Sequence, residues 1–191
     1  MKVIMILLWH QLQLVFRLFL LLLFCTLTSL HAIEVYEKVY LNEKAALERC
    51  FPDSGINDIY QLQLNNKDIS QIQTYSGALL LSQNIQIFSS KLSPKTYAVM
   101  SHEQGKYRPI TLMTLIKDAK VIDVMIMIYR EKIGSKVRKK RFLKQFFGKN
   151  TDTPLQIDYD IDGISGATVS SWAVASGVKK GLYIAQELAK R

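Results

Sequence analysis

Apolar and polar positions follow different periods along the chain, and the periods predict its elements. Residues 110–116 and 121–129 are near-continuous apolar runs separated only by Lys117-Asp118-Ala119-Lys120. That spacing predicts a hairpin whose two strands are buried on both faces. Its methionines (Met113, Met125 and Met127) read as gap-filling core residues. Residues 96–102 read as a further strand, closed by Glu103-Gln104-Gly105-Lys106. Tyr60, Leu62 and Leu64 alternate with Gln61, Gln63 and Asn65, a half-buried strand, and Asn65-Asn66-Lys67-Asp68 reads as a turn. Residues 69–93 are the least patterned, with Ile85 and Ile87 in a short strand. Leu155, Ile157, Tyr159 and Ile161 alternate with polar residues and predict a strand carrying Asp158, Asp160 and Asp162 on one face.

Helical spacing appears three times. In residues 43–51, Ala46, Leu47 and Cys50 share a face. Between Lys136 and Phe147, the residues Val137, Leu143, Phe146 and Phe147 recur at helical intervals among basic residues, and Gly148 ends the pattern. In the C-terminal tail, Val174, Val178, Leu182, Ala185 and Leu188 form an apolar stripe, with Lys179, Lys180, Glu187 and Lys190 expected on other faces. Together these elements predict an α+β fold: a largely antiparallel twisted sheet with flanking helices.

Charge and rare residues narrow the picture. Lys2 and Arg17 precede the apolar run 18–30, so residues 1–32 read as a signal peptide, or as an uncleaved membrane anchor if residues 3–30 act as a whole. Either reading exports the rest of the chain to the periplasmic or extracytoplasmic face of a membrane. The formal net charge is +9, and residues 130–149 hold nine basic side chains. Behind an export leader, that charge favours an anionic membrane surface or an acidic partner over nucleic acid. Beyond the leader, Cys50 is the only cysteine and His102 the only histidine. An internal disulfide, a cysteine zinc cluster, a c-type haem and a histidine metal site are therefore not expected. The acidic stretch around Asp160 has oxygens suited to magnesium or calcium, but carboxylates two apart on a strand need ligands from elsewhere, and an exposed acidic face explains them as well.

The candidate chemistry lies at Asp162-Gly163-Ile164-Ser165-Gly166-Ala167-Thr168-Val169-Ser170-Ser171, just ahead of the tail helix. Backbone N–H groups and hydroxyls brought to the positive end of a helix suit a phosphate or another anion. The same residues also make an ordinary loop and helix cap. A serine-hydrolase reading of Gly163-x-Ser165 lacks the final glycine of a nucleophile elbow, because Ala167 stands there, and only His102 is available as base.

Ser165-Gly166-Ala167-Thr168 behind Asp162 resembles the flavinylation motif of the FMN-binding domain family, found in the C subunit of the sodium-translocating NADH:quinone reductase and the G subunit of the Rnf complex. Tyr129-Arg130-Glu131-Lys132-Ile133-Gly134, followed by Phe142, Gln145-Phe146 and Gly148-Lys149, is similar to that family's second segment. Lys132 and Ile133 stand where those subunits carry Thr-Pro, and Tyr129 where they often carry His. In this respect the chain more closely resembles stand-alone exported FMN-binding proteins. The likeness covers about residues 96–189. It implies an FMN-binding domain over residues 96–191, with residues 33–95 as the N-terminal part of the exported region.

The resemblance also implies residue roles. Thr168 would carry FMN as a phosphoester installed by a separate flavin transferase that uses FAD and magnesium. Ser165, Gly166 and Ala167 would shape the loop, Asp162 would complete the recognition signal, Ser170 and Ser171 would hydrogen-bond near the helix start or phosphate, and Tyr129, Glu131 and Gly134 would lie by the flavin. The expected function is an electron carrier, or a subunit of an oxidoreductase, between a membrane redox protein or quinone and another carrier. The alternative is an extracytoplasmic binding module of the same fold without covalent flavin.

Overall fold

The computed structural model describes residues 9–20, 36–76 and 85–191. Residues 9–20 form a helix, α1, whose Trp9, Leu12, Phe16 and Phe19 are exposed. Among the described residues, no helix is long and apolar enough to cross a membrane. The rest of the predicted leader, including its cleavage end at Ala32, lies outside the described residues, as do positions 77–84 of the poorly patterned stretch.

Tyr36–Arg191 is a separate compact unit. Its described residues form six strands, β1 (Lys38–Val39), β2 (Ile59–Leu62), β3 (Gln86–Ser90), β4 (Ser93–Gln104), β5 (Pro109–Lys117) and β6 (Lys120–Tyr129). They form one sheet in the order β1-β6-β5-β4-β3-β2, with every neighbouring pair antiparallel. The predicted α+β architecture is therefore the observed one. Asp118 and Ala119, both at positive φ (48° and 61°), turn β5 into β6. Two consecutive left-handed residues match the right-handed twist of the flanking strands, which makes a two-residue hairpin efficient.

Both faces of the sheet are covered, which explains the continuous apolar runs. Helix α2 (Glu43–Cys50) places Ala46, Leu47 and Cys50 against Ala98, Met100, Met113, Leu115, Met125 and Met127 on one face. The methionines are core residues. Helix α5 (Thr168–Leu188) covers the other face, packing Val174, Val178 and Leu182 with Val99, Leu112 and Ile116. Close approach is possible because Gly177 faces β5, where an added Cβ would lie 2.9 Å from the Leu112 methyls. Helix α3 (Asn66–Ser76) contributes Ile72 to the same core.

Four local expectations fail for identifiable reasons. Asn65-Asn66-Lys67-Asp68 begins α3 instead of making a free turn: Asp68 accepts from Asn65 N and Asn65 accepts from Asp68 N, a reciprocal cap. Residues 155–161 are not a strand. Leu155 and Asp158 adopt positive φ, and only an isolated bridge joins Ile157 to Ile161. The basic segment is broken into a 3₁₀ turn at Ser135–Arg138, a single α turn, α4 (Lys140–Leu143), and a second 3₁₀ turn at Lys144–Phe146. It buries Val137, Leu143 and Phe146 as the spacing predicts, and Phe142 with them, but Phe147 is exposed and no continuous helix forms. Lys180 and Glu187 are buried, not on solvated faces: Lys180 Nζ pairs with Glu103 at 2.8 Å, and Glu187 with Lys190.

Candidate flavin site

The chain enters α5 through the loop of residues 162–167, and side chains from two directions hold that loop. The Gln145 amide clamps the backbone of Asp162: its Oε1 accepts from Asp162 N at 2.8 Å and its Nε2 donates to Asp162 O at 3.2 Å. A primary amide mimics a peptide group, so one side chain satisfies both backbone groups. From the helix side, Ser171 Oγ accepts from Ile164 N at 3.3 Å and donates to Ala167 O at 3.0 Å. Ala167 N closes the turn onto Ile164 O at 2.8 Å. Gly166, with φ of 76° and nothing within 4 Å of its would-be Cβ, gives the loop its left-handed corner and leaves its outer side open.

That framework presents Thr168. It is the first residue of α5 and is exposed, whereas Ser170 and Ser171 are buried and hydrogen-bonded. Ala167, at the cap position, supplies no side-chain hydrogen bond. The helix start thus has an alanine where Ser, Thr, Asn or Asp would normally bond its free N–H groups. Ser165 is also exposed, on the turn before the helix.

A second loop is fastened to the same helix start. The buried Tyr129, at the end of β6, donates its hydroxyl to Ile133 O at 2.6 Å. Its oxygen lies 2.9 Å from Ser170 Oγ. Since the single phenolic proton goes to the carbonyl, Ser170 is the donor of that second bond. Burial raises the Tyr129 pKa, against the lowering effect of the Ser170 bond. Gly134 completes the joint at φ of 94°: a Cβ there would come within 2.5 Å of the Tyr129 hydroxyl and 2.7 Å of Ser170 Oγ. Tyr129, Gly134, Ala167 and Ser170 are therefore brought together, although they are far apart in sequence.

Glu131 is placed differently. Its Oε1 accepts from Tyr107 N at 2.6 Å and Arg108 N at 3.2 Å, so its buried carboxylate ties the β4–β5 turn to the end of β6. In the acidic stretch Asp158 and Asp162 are exposed, while Asp160 holds a turn. Burial raises the Asp160 pKa, but hydrogen bonds from Gln156 N and Leu155 N and the Lys149 ammonium at 3.1 Å outweigh it and leave the pKa lowered. Among the described residues, no group of three His, Cys, Asp or Glu side chains could hold a metal ion. His102 Nδ1 is engaged with Thr111 Oγ1 at 2.9 Å on β5. By strand alternation from Glu103, which lies under α5, His102 faces the other side of the sheet, so it cannot serve Ser165 as a base.

Sequence reasoning missed one feature. A cleft of about 400 Å³ opens beside the motif, its lining including Lys136, Lys139, Arg141, Gln145, Asp162 and Ser165. The three basic residues are exposed, as expected of a solvated basic face, but they converge on the loop because the segment folds as short turns. The motif contains Gln145 but implies no role for it. The signal that might have shown one was its place between Leu143 and Phe146, which leaves a polar side chain beside two buried anchors.

The donor set fits FMN. An uncapped helix start, an open glycine corner and a cleft whose three cations outweigh the single carboxylate of Asp162 accommodate a phosphate's charge. Residues 105–183 match the model of the FMN-binding domain family. No curated protein matches the chain. The matched span runs from the β4–β5 turn held by Glu131 to Tyr183, in the C-terminal half of the long helix, and so includes both fastened loops. Over residues 105–183, then, this chain is similar to the FMN-binding domain family.

Proposed function

We propose that this protein is an exported electron-transfer flavoprotein carrying FMN as a phosphoester on Thr168. The observation that carries the reading is the presentation of Thr168: an exposed hydroxyl on the first residue of an uncapped helix, in a loop clamped by Gln145 and Ser171. A flavin transferase would join Thr168 Oγ to the flavin-bearing phosphorus of FAD. The pyrophosphate bond breaks, AMP leaves with its electron pair, and the threonine proton passes to a base of the transferase. The helix start would stabilise the retained phosphate charge, and Lys136, Lys139 and Arg141 would add to it through the adjoining cleft.

When bound, FMN supplies the redox chemistry. The chain's own contribution is to hold and orient. Tyr129 fixes the 133–134 loop against Ser170, Gly134 lets the loop lie close, and Glu131 braces the neighbouring turn. The partners that fit are a membrane redox protein or quinone on one side and a second carrier on the other, at the extracytoplasmic face. Lys136, Arg138, Lys139, Lys140, Arg141 and Lys144 are all exposed and form a surface suited to anionic lipid headgroups.

Peptide mass spectrometry tests the attachment, using protein exported from a host that contains the transferase. An FMN adduct is expected on the peptide containing Thr168 and is lost in Thr168→Ala. An adduct that persists in that variant, on Ser165, Ser170 or Ser171, would refute the acceptor. Complete lack of flavin on correctly matured protein would favour the non-flavinylated binding module.

A further inference from the structure

We infer that Trp172, together with Val169 and Ile133, forms the platform on which the isoalloxazine ring rests, and that stacking on the Trp172 indole governs how exposed the ring is. The inference depends on FMN being held at Thr168. Three large apolar side chains remain in solvent around the start of α5: Ile133 (76 % exposed), Trp172 (53 %) and Val169 (44 %). They stand out because the next turns of α5 bury Ala173, Val174 and Val178 in the core. The indole therefore lies off the helix face that packs against the sheet.

Helix geometry places these side chains beside the attachment point. Thr168 and Trp172 are four residues apart and Val169 and Trp172 three, so each pair shares a face. Helical side chains lean toward the N-terminus, and the Trp172 indole accordingly covers the turn that begins with Thr168. Ile133 comes to the same place by tertiary contact. Its carbonyl takes the Tyr129 hydroxyl, which also binds Ser170, and the would-be Cβ of its neighbour Gly134 lies 3.6 Å from Ala167 Cβ.

The size and chemistry of the patch suit a flat aromatic tethered at Thr168. Trp172 lies just over one helical turn, ~6 Å along the axis, from the tether. The phosphate and ribityl chain of FMN are longer than that. An indole face and an isoalloxazine ring stack well because both are broad π surfaces. The cleft on the Ser165 side carries three cations against the one carboxylate of Asp162, a net positive lining that suits the anionic end of the cofactor and leaves the apolar patch for the ring. An exposed tryptophan with branched aliphatic neighbours is also the kind of patch that marks a binding surface.

Fluorescence of the loaded protein tests this. Flavin content is first measured after denaturation, and emission and visible circular dichroism are then recorded per bound flavin in the folded state. Contact with indole quenches flavin emission. Trp172→Ala should lower the ratio of stacked to unstacked ring about fivefold, so that emission rises toward the denatured value and the visible dichroism weakens. Trp172→Phe should fall between the two, and Tyr60→Ala, an exposed aromatic on β2, should match wild type. Wild-type emission and dichroism in Trp172→Ala, with the Thr168 adduct present, would overturn the platform and leave the attachment standing. Release of emission by Tyr107→Ala instead would place the ring on the β4–β5 turn and also overturn it. Lack of any adduct in the wild type would sink both readings.

Discussion

The Tyr129 hydroxyl is the smallest unit on which the site depends. It satisfies the Ile133 carbonyl and receives Ser170, so the end of β6, one loop and α5 meet at one buried oxygen. Tyr129→Phe leaves that carbonyl without its donor and should destabilise the fold by about 1–2 kcal/mol, measured as a shift in the urea midpoint. The effect should also depend on pH. Burial raises this phenol above its ordinary value of 10.0, so the folded state favours the protonated form. Its contribution is full below about pH 10 and is lost as pH rises through the higher folded value. The gap between wild type and Tyr129→Phe should therefore narrow in alkaline denaturation curves; a constant gap would rule this out. Tyr129 could be picked out in the sequence, because it ends an apolar run. Its partners could not, since Ser170 is 41 positions away.

Elements were legible where the periodicity was long and illegible where one short side chain decided the backbone. The β5–β6 hairpin was plain from its two apolar runs. Its turn has a testable flaw, because Ala119 sits at φ of 61°, where a Cβ is unfavourable. Ala119→Gly should stabilise the protein by about 1 kcal/mol, seen as a raised thermal midpoint; a lowered midpoint would refute the turn assignment. At 155–161 an alternating pattern pointed to a strand, but Asp160 accepts from Gln156 N and Leu155 N and bends the chain into turns. Local side-chain bonds of this kind compete with strand pairing and leave no mark on apolar spacing. The same ambiguity hid α3, because the Asn and Asp residues that cap a helix are also turn residues.

For the whole molecule, the long helix lies across the sheet over a buried ion pair. Lys180 Nζ meets Glu103 at 2.8 Å, with both side chains less than a tenth exposed. Removing one partner leaves an unpaired charge in the interior, so Lys180→Met should cost about 3–5 kcal/mol in denaturant unfolding. The double variant Lys180→Met, Glu103→Leu should recover most of the loss, and a double variant no more stable than the single one would disprove the pairing. Neither residue announces this role in sequence: Lys180 follows Lys179 on a helix, and Glu103 falls where a turn was expected. The sequence by itself determined the buried strands, the long helix and the motif around Thr168, because apolar periodicity and consecutive residues act locally. Only the tertiary structure decided that Gln145 clamps Asp162, that Tyr129 and Gly134 meet Ser170, and that Lys136, Lys139 and Arg141 converge beside Ser165. These are contacts between segments distant in the chain, set by the register in which the sheet and α5 pack. No local pattern records that register.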